Sequence, residues 1–206
     1  MSTELGIATD LQIVGPDVVV VPSATTVFHK LDTVPDAILE QTWELYAEAF
    51  EVLRSEAAQR HVLFRDEFDA MMADPRITKI VGYDGPSFCA LAVRTNDLAA
   101  WPLISPEYYA ARFPEQFAAR TIFYCGFYLV KPQYQRSGVV RDLVSAVALD
   151  AHLTRGIIAM DICGARRRMH MDKAMVRLSR STAPHARAIF LDEQSFWAYD
   201  CSPLED

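Results

Sequence analysis

The chain has 206 residues, of which 51% are hydrophobic and 23% charged, and its formal net charge is −7. This length and composition allow a real apolar core, which excludes disordered, collagen-like and small disulfide-stapled proteins. The acidic balance argues against a protein that binds nucleic acid through a broad basic face. No window approaches the roughly 20 apolar residues of a membrane span, and the first residues lack the pattern of a signal peptide. We therefore expect a cytoplasmic protein with neither nucleic acid nor membrane among its partners.

The cysteines are widely separated and form no C-x-x-C pair, so the sequence offers no zinc-ribbon or thioredoxin-type site. We expect reduced thiols and no bound metal. The four cysteines are Cys89, Cys125, Cys163 and Cys201.

The first elements are short strands and a long helix. We predict one domain over 1–206, with a flexible start of about ten residues and one or two strands within the apolar stretch 11–22. The stretch Thr33-Val-Pro-Asp36 is typical of a capping box, with Thr33 as the N-cap. The apolar spacing that follows predicts a helix to about Arg60.

The middle of the chain predicts a helix, a hairpin and an aromatic connection. Residues 65–74 are expected to form a short helix, and 77–83 with 88–94 the two strands of a hairpin. The connection 96–120 is rich in Trp, Tyr, Phe and Pro and predicts a short helix after Ser105-Pro106. This segment either lines a pocket or covers a sheet face.

The second half alternates strands with helices. Strands are predicted at 121–130, 156–163 and 189–199, and helices at 139–154 and 166–180. This order indicates an α/β fold in which helices pack on the faces of a mixed sheet.

The turn between the strand 121–130 and the helix 139–154 carries the clearest chemical signal. Backbone N–H groups at a helix start are unpaired and carry partial positive charge, so such a turn can hold a pyrophosphate. Gly138 permits close backbone approach or a positive φ, and Arg136 can add a charge-assisted contact. The bland alternative is a glycine kept for packing alone.

These residues resemble a known family, the GNAT acyltransferases. Val130-Lys131-Pro132 matches the V-x-P end of the family's central strand, and Gln135–Val140 matches its Q/R-x-x-G-x-G/A loop. Loosely, the order of elements over about 25–200 matches as well. The resemblance implies a mostly antiparallel central sheet flanked by helices on both faces. Val140 departs from the family's Gly or Ala, and its isopropyl group either crowds the pyrophosphate or points into the helix–sheet interface.

The resemblance implies an N-acyltransferase that uses acetyl-CoA or another acyl-CoA. The amine of a small molecule would attack the thioester directly, with a base to take its proton. By the same resemblance, main-chain groups of Leu129 and Val130 would meet the pantetheine arm, and the loop would hold the pyrophosphate. The implied acyl-CoA contacts are Leu129, Val130, Gln135, Arg136, Ser137, Gly138, Val139 and Val140.

The acid and base are less direct to assign, because the strand glutamate and helix tyrosine common in GNATs are both missing. Tyr124 lies near the place of that glutamate, and Asp161 is a carboxylate in an apolar predicted strand, where burial is costly unless the group is paired. We take Tyr124 and Asp161 as the candidate catalytic residues. His61 and His170 are further titratable candidates.

A basic stretch in an acidic protein leaves other functions open. It is either a solvated helix face or a surface that reaches an anionic ligand. An arginine patch would favour an acyl-carrier-protein-dependent N-acyl synthase. The missing catalytic groups instead favour a non-catalytic GNAT-fold module that binds an acyl thioester or metabolite. A homodimer also stays open. The basic residues are Arg166, Arg167, Arg168, Lys173, Arg177 and Arg180.

Overall fold

A computed structural model describes residues 12–15, 18–20 and 26–202. The predicted flexible start of the chain lies outside these residues.

The described strands form one sheet in chain order, with antiparallel pairing from β1 to β6 and parallel pairing between β6 and β7. The mostly antiparallel mixed sheet that we expected is therefore confirmed. The strands are β1 (Gln12–Gly15), β2 (Val18–Val20), β3 (Thr26–Leu31), β4 (Thr78–Asp84), β5 (Ser87–Thr95), β6 (Ile122–Val130) and β7 (Ile157–Ala159).

The helices follow the strands as the sequence indicated in most places. Among the described residues, none is long and apolar enough to cross a membrane. The helices are α1 (Asp36–Phe50), α2 (Leu53–Glu56), α3 (Arg65–Ala73), α4 (Pro106–Arg112), α5 (Pro114–Ala118), α6 (Val139–Thr154), α7 (Gly164–Arg168) and α8 (Met171–Ser179).

Both faces of the sheet carry apolar side chains. Successive residues of a strand point to opposite faces, so each strand contributes to both cores. On β5, Leu91 belongs to the core beneath α1 and α3, whereas Ala90 belongs to the core beneath α6. α6 is buried on most of its sides, since α8 lies against it as well as the sheet. Helices therefore cover both faces, as the resemblance implied.

An aromatic cluster joins α1 and α3 to β6. The ring of Tyr46 lies 5.1 Å from that of Phe68 and 5.0 Å from that of Phe127, measured between centroids. The Tyr46 hydroxyl accepts the N–H of Leu63 at 2.9 Å. This bond fixes the segment next to His61 against the sheet.

On the opposite face of the sheet, a buried charge network joins α6 to β5 and β3. Arg94 of β5 is 3% exposed, donates to the Val147 carbonyl oxygen at 2.8 Å and pairs with Asp150. Lys30 of β3 reaches the same carboxylate at 2.7 Å. Burial raises the pKa of Asp150, but Arg94 and Lys30 together outweigh it and hold that pKa below its usual range.

The beginning of α1 and its end both differ from the prediction. Pro35, not Thr33, occupies the N-cap, and no side chain caps the first turn, so the expected capping box is wrong. The helix stops at Phe50 rather than near Arg60. After it, the N–H groups of Arg54 and Ser55 reach back only three positions, to the oxygens of Glu51 and Val52 at 3.1 and 3.3 Å, which interrupts the α-helix.

Three predictions for the second half are also wrong in part. The strand at 156–163 is reduced to β7, because the chain leaves β6 after Ala159 and pairs with only three of its residues. The helix at 166–180 breaks at His170, whose φ of 60° is left-handed. The strand at 189–199 does not form; Phe190, at 68% exposed, and Trp197, at 79%, project from a segment without a paired neighbour in the described structure.

Replacement of Asp150 by Ala tests the charge network. The change leaves the Arg94 guanidinium buried without its carboxylate, so the free energy of unfolding measured in urea should fall by about 3 kcal/mol. The control is Glu51→Gln, which removes the exposed pair with Arg54 and should cost less than about 0.5 kcal/mol.

The difference in unfolding free energy between the wild type and Asp150→Ala should depend on pH. The unfolded carboxyl has a pKa of about 3.9, and the folded value is lower, so the contribution of Asp150 is complete above about pH 4 and is lost as the pH falls through the lowered value. The stability gap between the wild type and Asp150→Ala should therefore narrow in acid. A gap that stays constant down to pH 2 would contradict the network.

Candidate functional site

The site begins where β6 and β7 separate. β6 pairs with β5 from Tyr124 to Val130, but β7 pairs only with Ile122, Phe123 and Tyr124. Beyond Tyr124, no described strand covers the edge of β6 that faces away from β5. This open edge leads directly into the loop that precedes α6.

Backbone direction decides which residues the open edge offers. The Lys131 N–H donates to the Cys89 oxygen at 2.9 Å, across to β5. Because backbone groups alternate along a strand, Leu129 also turns toward β5, and the open edge carries the groups of Tyr128 and Val130. The expectation that Leu129 offers main-chain groups to a ligand on this edge is therefore not supported. The Val130 oxygen already accepts the Gln135 side-chain amide at 3.3 Å.

A β-bulge interrupts β6 at Gly126. Val93 lies opposite Phe127 and Arg94 opposite Cys125, so Gly126 has no partner on β5. A bulge leaves its extra residue outside the ladder and is common beside active sites. The indole of Trp101 fills the space over this glycine, so that a Cβ there would lie 2.0 Å from its Cη2.

The loop before α6 closes in a tight turn that ends at Gly138. The Ser137 N–H and hydroxyl both donate to the Tyr134 oxygen, at 3.1 and 2.8 Å, which closes the turn. Gly138 then adopts φ +93° and forms the N-cap of α6. This conformation favours glycine, and it leaves the first N–H groups of a 16-residue helix free of intrahelical partners.

Val140 does not stand in the way of a ligand. Its side chain packs against the apolar core beneath α6, beside the fully buried Val139. Of the two positions that we considered, the isopropyl group therefore takes the one in the helix–sheet interface.

The charges around the loop are mixed. Arg136 is exposed and makes no ion pair with any residue in the described ranges. The Arg141 Nε donates to Asp142 Oδ1 at 3.0 Å. Asp142 is 1% exposed, and its Oδ2 has no hydrogen-bond partner in the part of the chain that the structure describes. Two guanidinium groups thus flank a helix start that also holds one buried carboxylate.

The structure brings Tyr124, Asp161 and His61 together at the other end of the open edge. The Tyr124 hydroxyl donates to Asp161 Oδ1 at 2.7 Å, and His61 Nδ1 lies 3.8 Å from Asp161 Oδ2. Asp161 follows β7 rather than lying within a strand, and its side chain is 58% exposed. Asp161 is thus paired with Tyr124 and exposed at the end of β7, so its charge does not bear the cost of burial.

The environment of Tyr124 favours the protonated form of its hydroxyl. Burial, and then the nearby charge of Asp161 and the hydrogen bond to it, raise the pKa of this phenol far above its usual value. The phenol stays protonated at neutral pH and holds one oxygen of the carboxylate. The other carboxylate oxygen of Asp161 faces His61.

The aromatic connection lines this end of the edge. The ring centroids of Trp101 and Tyr124 lie 5.4 Å apart. Tyr109 of α4 is buried nearby, and its pKa is raised first by burial, then by Tyr108, and then by the negative charge of Asp161. The sequence marked this aromatic segment without identifying either ring. His170 lies at the exposed break between α7 and α8 and does not join the group.

Comparisons with known proteins give fold likenesses only. No protein-family model and no curated protein matches the sequence. A solved aminoglycoside acetyltransferase, meta-AAC0020 from an uncultured soil metagenomic sample, is similar in complex with trehalose at 13% identity and a TM-score of 0.49, and in complex with sisomicin at 12% and 0.48. Each pairing covers 84% of this chain and 97% of that one.

A third solved structure is AAC(6')-Iy in complex with the bisubstrate analog CoA-S-monomethyl-acetylneamine, at 12% identity and a TM-score of 0.45. It covers 85% of this chain and 99% of that one. All three TM-scores lie below 0.5.

Proposed function

We propose that the protein is an acyl-CoA-dependent N-acyltransferase that moves an acyl group, acetyl in the simplest case, onto the amine of a small molecule. The observation that carries the proposal is the continuity of three features along β6. An anion-binding helix start lies at one end, an unpaired strand edge runs from it, and a Tyr–Asp–His group lies at the other end.

The donor would lie along the open edge. Its pyrophosphate would accept hydrogen bonds from the N–H groups at the start of α6, with Arg136 and Arg141 adding charge. The peptide-like pantetheine arm would continue along β6 and use the backbone groups of Tyr128 and the N–H of Val130, as an added strand would.

The thioester would then lie at the Gly126 bulge. The N–H of Gly126, which has no partner residue on β5, would polarise the thioester carbonyl oxygen. Such donors stabilise the negative charge that develops on this oxygen in the transition state. This position would also place the carbonyl carbon near Tyr124, two residues earlier on β6. The Tyr124 hydroxyl donates to the Asp161 carboxylate.

The acceptor amine would approach from the side of Asp161 and His61. Its nitrogen lone pair attacks the thioester carbonyl carbon, so that a C–N bond forms and the C–S bond breaks. The Asp161 carboxylate accepts the proton that the nitrogen loses, and CoA leaves as a thiolate that takes a proton from solvent. The Tyr124 hydrogen bond keeps Asp161 oriented for this transfer.

Calorimetric titration tests the donor site. Acetyl-CoA and free CoA should both bind in the micromolar range, because the loop and the edge contact parts that the two share. Gly138→Trp should abolish both titrations, since a side chain at φ +93° strains the loop and blocks the helix start.

The matched control is Arg155→Trp, which places the same side chain at a left-handed position at the other end of α6. It should bind as the wild type does. Equal loss in both variants, or no binding by the wild type, would contradict the donor site.

A second prediction concerns the base. Asp161→Asn should lower kcat for amine-dependent thiol release by about 100-fold or more, the usual contribution of a general base, while the Kd for acetyl-CoA stays unchanged. Asp66→Asn removes an exposed carboxylate on α3 and should leave the rate unchanged. An unaltered rate in Asp161→Asn would remove Asp161 from the mechanism.

One observation favours a second candidate, in which an acyl carrier protein delivers the donor. The segment 164–187 holds seven Arg and Lys residues and one acidic residue, in a chain of net charge −7. It lies directly after Asp161, and Arg168, Lys173 and Arg177 form no ion pair with any described residue. Thiol release from an acylated carrier protein, with none from acyl-CoA, would select this candidate; binding of acyl-CoA without release would indicate a non-catalytic module.

A further inference from the structure

Trp101 occupies the one place on β6 where the ladder is broken. It follows the short 3₁₀ turn Leu98–Ala100, and its indole is 9% exposed. A Cβ on Gly126 would lie 2.0 Å from Cη2 and 2.7 Å from Cζ2, so the indole lies directly on the glycine backbone. No larger residue fits at 126 unless this ring moves.

Strand geometry relates this contact to the donor. Four residues separate Gly126 from Val130, or about 13 Å of strand at roughly 3.3 Å per residue. An extended pantetheine arm is of comparable length, so a donor whose arm enters the open edge at Val130 would place its thioester at the bulge. Atoms attached beyond the thioester carbon, on the side of the core beneath α1 and α3, would then meet the Trp101 indole.

We propose that Trp101 is a specificity-determining residue that restricts the donor to short acyl groups such as acetyl and propionyl. The inference rests on the proposed function, because it takes the thioester to lie at Gly126. The indole is held in place by its contact with Gly126 and by Tyr124, whose hydroxyl is in turn fixed by Asp161. An acyl chain of eight carbons could enter only by displacing a buried ring, and well-packed interiors resist this.

The test compares acetyl-CoA with octanoyl-CoA as donors for one amine, followed by thiol release and by calorimetry. Wild-type protein should prefer acetyl-CoA by at least 100-fold in kcat/KM. In Trp101→Ala, the apolar space left by the ring can take the chain, so the octanoyl-to-acetyl ratio should rise by at least 100-fold. Trp101→Phe should lie between the two, and Trp197→Ala, which removes an exposed indole, should match the wild type.

Two results separate this inference from the function beneath it. If the wild type binds neither acetyl-CoA nor free CoA, the proposed function fails and the inference with it. If acetyl-CoA binds and reacts but the ratio stays the same in Trp101→Ala and Trp101→Phe, only the role of Trp101 is overturned. Circular dichroism and melting curves establish folding, and Trp101→Phe decides the question if the alanine variant does not fold.

Discussion

The short pairing between β6 and β7 is the constraint on which the rest of the site depends. Because β7 contributes only three residues, the remainder of β6 keeps one edge without a strand neighbour within the described chain. That edge begins at Tyr124 and ends in a loop whose Gly138 starts a buried helix. A longer β7 would satisfy the same backbone groups with hydrogen bonds and would leave no place for an extended ligand.

The surrounding core holds this opening in place. On one face, the rings of Tyr46 and Phe68 pack against Phe127 of β6. On the other, Arg94 and Asp150 join β5 to α6 through a buried ion pair. Since an unpartnered charge in the interior is costly, the two elements are fixed relative to each other. The strand that carries the proposed reaction centre is therefore held from both faces while its edge stays free.

Local patterns in the sequence predicted the elements that local forces decide. The hairpin, the strand 121–130, the helix 139–154 and the glycine turn that precedes this helix were all predicted this way, because apolar alternation and turn chemistry act over short distances. The strand predicted at 189–199 does not form. Its local pattern suits a strand, but a strand also needs the free edge of another strand to pair with, and the local pattern does not decide that.

Contacts made through space were beyond local patterns. The pairing of Asp161 with Tyr124 and His61 depends on where β7 ends, and the ammonium of the buried Lys79 binds the carbonyl oxygens of Asp32 and Asp74 at 2.7 and 2.6 Å. Neither arrangement has a fixed spacing along the chain. The contact between Trp101 and Gly126 likewise depends on the β-bulge, and the bulge is defined by the pairing of β6 with β5 rather than by the sequence of β6 alone.

Amide hydrogen exchange with and without acetyl-CoA tests the central claim most directly, because it reports which backbone groups the donor covers. The account predicts slower exchange in peptides that contain residues 126–141, with little change in α7 and α8. Protection confined to the basic segment 164–187, or none along β6 despite measurable binding, would contradict the assignment of the open edge as the donor site.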